Sequence, residues 1–327
     1  MPPPERAREL LLGADAVVPH TDADGLAAGA LALRARGERA DAAVLLGRGR
    51  TPFGDDPPLP DGSVAVLDWG VRPLARPGLL VDHHAPEAEA GPGQLVVSGY
   101  GERPETATAA LVRRLVPEEP SWLAAVGAVG DLGPDGFALP ECAGAPRTAV
   151  RRLVPLVNAP RRLPDGPVRE ALALLVESPS PAAALADARC ALLEEARREW
   201  RSELERVRRT APQVRDGYAL VRFSSPAQVH PLVAAQWQRR LAPLVVLVAN
   251  DDYLPGLVNF SVRGGSGADL RRWLRDALPE AGGEFAHGHD RATGGSLPHD
   301  EFELLLRRLD ARAAAARVSP RGRAAAR

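Results

Sequence analysis

Short apolar runs alternate with helix-like stretches along the first half of the chain. The apolar runs are bounded by Gly, Pro or Asp, and the stretches between and after them are rich in Ala, Leu and Arg. This alternation predicts an α/β domain in which a parallel sheet carries helices on both faces. We expect its strands at 17–18, 64–67, 79–81 and 95–97, with helices at 26–36 and 106–116.

The second half starts with a helical stretch and then returns to strand-like patterning. Residues 181–211 lack Gly and are rich in Ala, Leu, Glu and Arg, which predicts one long connector helix. Beyond it we expect a smaller α/β domain with strands at 218–223, 244–249 and 257–262, a helix at 268–278 and a final helix from residue 300. The run AGGEFAHGHDRATGGSLP between these two helices is interpreted as a glycine-rich loop.

The same patterns divide the chain into segments. Pro-rich stretches around 155–167 and at 179–181 interrupt the pattern just before the connector. The last residues are low in complexity and rich in Arg, which is typical of a disordered tail. The predicted segments are a catalytic domain at 1–180, the connector helix at 181–211, a second domain at 212–316 and the tail at 317–327.

Composition narrows the class of protein. With 327 residues, 45% hydrophobic and 25% charged, the chain can form two soluble globular domains. All 41 basic residues are Arg, which suggests a GC-rich genome rather than a surface built for phosphate, and the net charge is −1. A protein that coats long nucleic acid is usually basic, so any nucleic-acid contact here must be local.

The cysteines and the N-terminus bear on the compartment. Cys142 and Cys190 lie far apart and outside any CxxC, which argues against a disulfide framework and a thiolate zinc site. Asp15 breaks the first apolar stretch, which is therefore not a convincing signal peptide, and no run is long enough to span a membrane. We expect a cytoplasmic protein with no membrane partner, and the oligomeric state is left open.

Acidic and imidazole side chains follow the predicted strands where their carboxyl ends meet. Ligand sites in open α/β sheets form at this edge. Crowded carboxylates repel one another, and burying them is costly unless cations neutralise them. The motifs are HTDADG, VLDWG, VDHHA and GAVGDLG, and they supply His20, Asp22, Asp24, Asp68, Asp82, His83, His84 and Asp131.

Each motif taken alone also has a purely structural explanation. Asp24 can be the N-cap of the following helix, Asp68 a polar residue at a strand end, and Asp131 a helix-terminal residue. Together, oxygen and imidazole ligands without thiolate suit Mn²⁺ or Mg²⁺, and Fe or Zn less well. Two such ions roughly 3.5–4 Å apart promote displacement at phosphorus. The set therefore predicts a two-metal site for phosphoester chemistry.

In this order, the four motifs resemble those of the DHH phosphoesterase superfamily. The C-terminal half is similar to the DHH-associated domain, with NFSVRG as its substrate-binding strand and GHDRATGG as its glycine loop. The resemblance implies one ion on His20, Asp22 and Asp68, and a second ion on Asp24, Asp68, His83 and Asp131, with Asp68 bridging the two. It further implies that Asp82 orients the histidines, that His84 acts at the scissile phosphate, and that substrate is bound by Arg263, Gly288, His289, Gly294 and Gly295.

The first motif also bears on the substrate. HxDxDG resembles the RecJ-type and oligonucleotide-cleaving branch, whereas pyrophosphatases of the superfamily have HxxxDxD. Aromatic content is 4%, and no segment is left for a single-strand-binding OB-fold domain, so short substrates are favoured. Trp69 is either a base-stacking or a core residue.

We therefore expect a phosphodiesterase with two Mn²⁺ ions, or Mg²⁺, that hydrolyses short single-stranded RNA or DNA, or dinucleotides, to mononucleotides. A RecJ-like exonuclease on longer single-stranded DNA is the first alternative. A catalytically inactive nucleotide-binding regulator is the second.

Overall fold

The chain forms two compact units, Met1–Arg198 and Glu199–Arg327. The structure is a computed structural model that describes residues 4–54, 57, 59–265, 269–282, 285–289 and 291–318. At 287–289 and 313–318 only the course of the backbone is described.

The first unit contains a parallel sheet with the order β1-β2-β3-β4, as predicted. Pro19 pairs with Leu67, and Leu67 pairs with Val81, so the strands end level with one another. Polar residues that follow these strands therefore meet at one edge. The elements are α1 (Pro4–Gly13), β1 (Ala16–Pro19), α2 (Ala23–Ala35), β2 (Val64–Leu67), β3 (Gly78–Asp82), β4 (Gln94–Ser98), α3 (Thr108–Leu115), α4 (Ser121–Leu132), α5 (Arg147–Val157), α6 (Val168–Glu177), α7 (Pro181–Ala186) and α8 (Cys190–Val207).

The two faces of this sheet are covered differently. Alternate strand residues such as Val17 and Leu67 pack against a core formed by the helices. On the other face, Val18 and Val66 pack against Leu46 and other residues of irregular segments. The expectation of helices on both faces is therefore corrected for the described residues. The physical reason is that the connections 68–77 and 83–93 contain no helix that could cover the second face.

The second unit is built on a mixed sheet with the order β5-β6-β7-β8-β10-β9. Strands β6 and β7 are parallel, and the other neighbours are antiparallel. Helices α10 and α11 pack on one face around Phe260 and Phe302. The elements are β5 (Gln213–Val214), β6 (Tyr218–Phe223), α9 (His230–Leu241), β7 (Val245–Leu254), β8 (Leu257–Arg263), α10 (Leu270–Ala277), β9 (Phe285–His289), β10 (Ala292–Pro298) and α11 (His299–Val318).

The predicted connector is two helices rather than one. Helix α7 ends before Asp187, which has an extended backbone and whose carboxylate accepts the N–H of Arg189 at 2.8 Å. This bond from the backbone to the Asp187 side chain competes with helical hydrogen bonding and interrupts the helix between α7 and α8. The division between the two units falls within α8.

The predicted glycine-rich loop and tail also differ from the structure. Most of the glycine-rich run forms the paired strands β9 and β10. A Cβ on Gly294 would lie 2.4 Å from the carbonyl oxygen of Phe260, so the close approach of β8 requires glycine there. Helix α11 extends to Val318, into the expected tail, and residues 319–327 lie outside the described residues.

Two further features are the cysteines and the apolar character of the helices. Cys142 and Cys190 are buried free thiols. In the described part of the chain, no helix combines the length and apolar character needed to cross a membrane.

Candidate metal centre

The structure brings the predicted acids and histidines together at the carboxyl edge of the parallel sheet. His20 follows β1, Asp68 follows β2 and Asp82 ends β3. Three groups have ligand atoms within 4.8 Å of one another: His20, Asp22 and Asp68; Asp24, His83 and Asp131; and Asp68, His83 and His84. We refer to these seven residues with Asp82 as the Asp–His cluster. Asp68 and His83 each belong to two of the groups.

The first group is organised by the start of α2. Asp22, rather than Asp24, is the N-cap, and its Oδ1 accepts the N–H of Gly25 at 3.0 Å. Its Oδ2 lies 2.9 Å from His20 Nδ1, which in turn is 3.7 Å from Asp68 Oδ2. A Cβ on Gly25 would lie 2.4 Å from the carbonyl oxygen of His20, so glycine allows this compact turn.

Asp68 has an unusual backbone conformation for a buried acid. Its φ is 69°, in the left-handed region that non-glycine residues seldom adopt. Its side chain is buried, and Oδ1 accepts the hydroxyl proton of Thr108 at 2.9 Å. Strained backbone of this kind often occurs at functional sites.

The second group is organised by the start of α3. Asp24 is buried, and its two oxygens accept the N–H groups of Thr108 and Ala109 at 2.7 and 2.8 Å. His83 Nε2 lies 3.1 Å from Asp131 Oδ2 and 3.8 Å from Asp24 Oδ2. Although buried, this nitrogen makes no well-formed hydrogen bond to any described residue.

Asp82 contacts one of the two adjacent histidines. Its Oδ1 accepts the N–H of His84 at 2.7 Å and lies 3.0 Å from His84 Nδ1, while Oδ2 accepts the N–H of Gly70. The bond from Asp82 raises the pKa of His84 to about 9, so the half-exposed imidazole is protonated at neutral pH. Burial opposes ionisation of Asp82, but the bonds from His84 lower its pKa.

The electrostatics of the cluster favour a cation. Burial, reinforced by the charge of Asp131, raises the pKa of Asp24 to about 8. Burial likewise raises the pKa of Asp68 and Asp131, and it lowers the pKa of His83. Asp22 differs, because the charges of His20 and Arg161 outweigh its burial and hold its pKa well below the usual value. Three carboxyls whose pKa stays raised despite the nearby histidines, together with an imidazole nitrogen that lacks a hydrogen bond, fit hard divalent cations.

Three residues near the cluster were not found from the sequence. Thr108 contacts both Asp68 and Asp24. Asn158 Oδ1 accepts the N–H of Ala23 at 2.9 Å, and Arg161 donates to Asp22 at 3.0 Å. All three lie outside the four motifs, and their residue types alone carry no signal for a metal centre.

Replacing Thr108 with Val is expected to lower the affinity for Mn²⁺ about tenfold, as loss of an outer hydrogen-bond partner of a ligand typically does. The valine keeps the volume but removes the hydroxyl that fixes Asp68. Titration of metal-free protein followed by Mn²⁺ electron paramagnetic resonance measures the affinity. Thr108→Ser should restore it, and Thr106→Val, in another buried threonine, should leave it unchanged. Equal affinities for Thr108→Val and wild type would contradict the positioning role.

Trp69, the aromatic residue next to Asp68, has contacts that favour the core role. Its ring packs edge-on against His20 with centroids 4.9 Å apart. It also packs against the helix-free face of the sheet.

The predicted substrate-binding residues of the second unit lie on β8, β9 and β10. Arg263 ends β8, and its Nε is buried without a hydrogen-bond partner among the described residues. It lines a cavity of about 530 Å³ together with Arg239, Arg291 and the glycines at 264–265. Gly294 and Gly295 lie within β10, paired with β8. Gly288 and His289 lie in β9, and the His289 side chain is outside the described residues.

The chain was compared with known proteins. No model of a protein family and no curated protein matches the sequence. Among solved structures, exonuclease RecJ bound to manganese matches with a TM-score of 0.66 and 21% identity over 97% of both chains. The DHH domain of a member of a ribosomal protein family matches with a TM-score of 0.58 and 17% identity, over 94% of this chain and 88% of that one. The chain has the DHH fold.

Two further matches have the same DHH fold. RecJ in complex with Mn²⁺ from Thermus thermophilus matches with a TM-score of 0.66 and 21% identity over 95% of this chain, which spans only 55% of that protein. The pGpG-specific phosphodiesterase PggH from Vibrio cholerae matches with a TM-score of 0.52 and 13% identity, over 92% of this chain and 99% of that one. The predicted DHH fold is thus confirmed.

Proposed function

We propose that this DHH protein is a phosphodiesterase that uses two Mn²⁺ ions, or Mg²⁺, to hydrolyse short oligonucleotides or dinucleotides to mononucleotides. The observation that carries the proposal is the Asp–His cluster, in which His20, Asp22 and Asp68 form one ligand group and Asp24, His83 and Asp131 another. Asp68 Oδ1 lies 3.6 Å from Nε2 of His83 in the second group. A donor set of this kind suits paired hard cations.

Each residue of the cluster has a role in this proposal. His20, Asp22 and Asp68 would hold one ion, and Asp24, Asp68, His83 and Asp131 would hold the other. Bound at these ligands, the ions would activate water and stabilise charge on the phosphate oxygens. His84, protonated and held by Asp82, donates its proton to the leaving oxygen as the P–O bond breaks.

A nucleotide substrate is supported by two independent observations. The neighbours include an exonuclease and a phosphodiesterase named for a dinucleotide. The second unit has a cavity lined by three arginines, whose planar side chains bind phosphate oxygens through paired hydrogen bonds. We infer that Arg263 binds a phosphate group of the substrate there.

The RecJ-like alternative rests on the match over nearly the full length of a RecJ structure. Cleavage of a labelled dinucleotide, a pentanucleotide and a long single strand in Mn²⁺ distinguishes the two. Faster loss of the two short species supports the proposal, and preference for the long strand supports the exonuclease. No cleavage of any of the three would favour the inactive nucleotide-binding regulator.

Replacing Arg263 with Gln is expected to raise the KM for a dinucleotide about tenfold while changing kcat much less, because a charge-assisted bond to phosphate is lost. Steady-state kinetics in Mn²⁺ measure both constants. Arg272→Gln, which changes an arginine that is 78% exposed, serves as the matched control. A KM equal to that of the wild type would remove Arg263 from the substrate site.

A further inference from the structure

Arg161 lies beside the Asp–His cluster although no motif predicts it. Its Nη1 donates to Asp22 Oδ2 at 3.0 Å, and Asp22 and Arg161 are both largely buried. The two residues are far apart in sequence, so the contact depends on the fold. An arginine held against a candidate metal ligand needs an explanation.

The segment that carries Arg161 is fixed in place. Asn158, at the end of α5, accepts the N–H of Ala23 and thereby joins this segment to the first turn of α2. Arg161 follows within the short helical turn Pro160–Arg162. A Cβ on Gly166 would lie 1.9 Å from the carbonyl oxygen of Pro160, so the chain packs closely against this turn. The backbone that carries the guanidinium is therefore hydrogen-bonded to α2 and closely packed.

The guanidinium of Arg161 has more N–H donors than its contact with Asp22 uses. Arginine carries five N–H donors in a planar fork. Within the described part of the chain, the bond to Asp22 is the hydrogen bond that this side chain makes. Its side chain is 23% exposed, so part of it still faces solvent beside the cluster.

The contact between Arg161 and Asp22 has opposite effects on the binding of a cation and of an anion. Oδ2 of Asp22 is close to both His20 and Arg161, so the guanidinium opposes binding of a cation at that oxygen. The same positive charge attracts an anion that approaches the cluster. If Arg161 only held Asp22 in position, its loss would change the binding of the cation and of the anion in the same direction.

We propose that Arg161 binds a phosphate oxygen of the substrate at the metal centre while one edge of its guanidinium remains on Asp22. This inference rests on the proposed function, which supplies the phosphodiester. It assigns to the first unit a phosphate-binding residue distinct from Arg263 in the second unit.

Two titrations test the proposal in Arg161→Gln and Arg161→Lys. Isothermal titration of inorganic phosphate into the Mg²⁺-loaded protein should give about tenfold weaker binding for Arg161→Gln and an intermediate value for Arg161→Lys, which keeps the charge but not the fork. Titration of metal-free Arg161→Gln with Mn²⁺ should give an affinity at least equal to that of the wild type, because the positive charge of the guanidinium beside Asp22 is gone. Arg189→Gln, in an ion-paired arginine of similar exposure, should change neither constant.

The outcomes separate this inference from the proposed function. Unchanged phosphate affinity in Arg161→Gln, or no phosphate binding by the wild type, overturns the role of Arg161. Parallel loss of phosphate and Mn²⁺ affinity also overturns it, because Arg161 would then only support Asp22. Phosphate binding that depends on Arg161, in a protein that cleaves no nucleotide, would instead overturn the proposed function.

Discussion

Replacing Asp68 with Asn is expected to lower the rate of phosphodiester hydrolysis by about 10³-fold or more, the scale on which a shared metal ligand acts. Asp68 is the proposed ligand of both ions, so its loss should weaken both metal positions at once. Asn tolerates the left-handed backbone at φ 69°, and its side-chain oxygen can still accept the hydroxyl of Thr108. Initial rates with a dinucleotide in Mn²⁺ measure the loss.

The stability of the same variant identifies the cause of that loss. Burial raises the pKa of Asp68, so the charged form is disfavoured in the metal-free protein. Asparagine removes the ionisable group, and the melting temperature without metal should therefore be unchanged or higher. Asp41→Asn, in an exposed acid outside the cluster, should alter neither activity nor stability. Full activity in Asp68→Asn would contradict the assigned role of this residue.

Mn²⁺ is expected to stabilise the metal-free protein more strongly at pH 8 than at pH 6. The pKa of Asp24 is raised to about 8, so at pH 6 its carboxyl is protonated and a metal ion must displace that proton. Asp24 also contributes stability that is full below its unfolded pKa near 3.8 and is lost as pH rises through 8. Because less proton has to be displaced as pH rises, the gain from metal grows with pH. At about a hundredfold excess over Kd it amounts to roughly 2.7 kcal/mol.

Thermal denaturation with and without saturating Mn²⁺ at several pH values tests this dependence. Calorimetric titration in buffers of different ionisation enthalpy should show proton release near pH 7. Asp24→Asn should weaken the pH dependence, with the part due to Asp68 and Asp131 remaining, whereas Asp41→Asn should leave it unchanged. Absence of any shift in melting temperature, or a larger shift at pH 6, would argue against a metal centre of this kind.

The sequence was sufficient to predict the parallel sheet and the residues at its edge. Strands β1 to β4 are short apolar runs bounded by Gly, Pro or Asp. Such runs are too short to form helices, so a buried strand is the structure they favour. Because strands in register end together, residues as distant as His20 and Asp68 could be expected to meet. Their roles as metal ligands remain predictions.

The features that were not predicted depend on contacts between residues distant in sequence, which no local pattern encodes. Thr108 and Arg161 are ordinary residue types, and only the fold brings them to Asp68 and Asp22. The glycines of β10 were interpreted as a loop because glycine is typical of turns, whereas Gly294 permits close packing of strands. The sequence did not reveal that one face of the sheet lacks helices. Apolar residues of irregular segments, such as Phe53, cover that face, and they carry no periodic pattern.

If the Asp–His cluster hydrolyses short nucleotides with bound metal ions, hydrolysis must depend on both the metal and Asp68. The most direct measurement is release of mononucleotide from a labelled dinucleotide by protein stripped of metal and then supplied with Mn²⁺, beside Asp68→Asn. We predict no release without metal, rapid release after Mn²⁺ is added, and none from the variant. Equal release before and after stripping, or equal release from Asp68→Asn, would contradict the account.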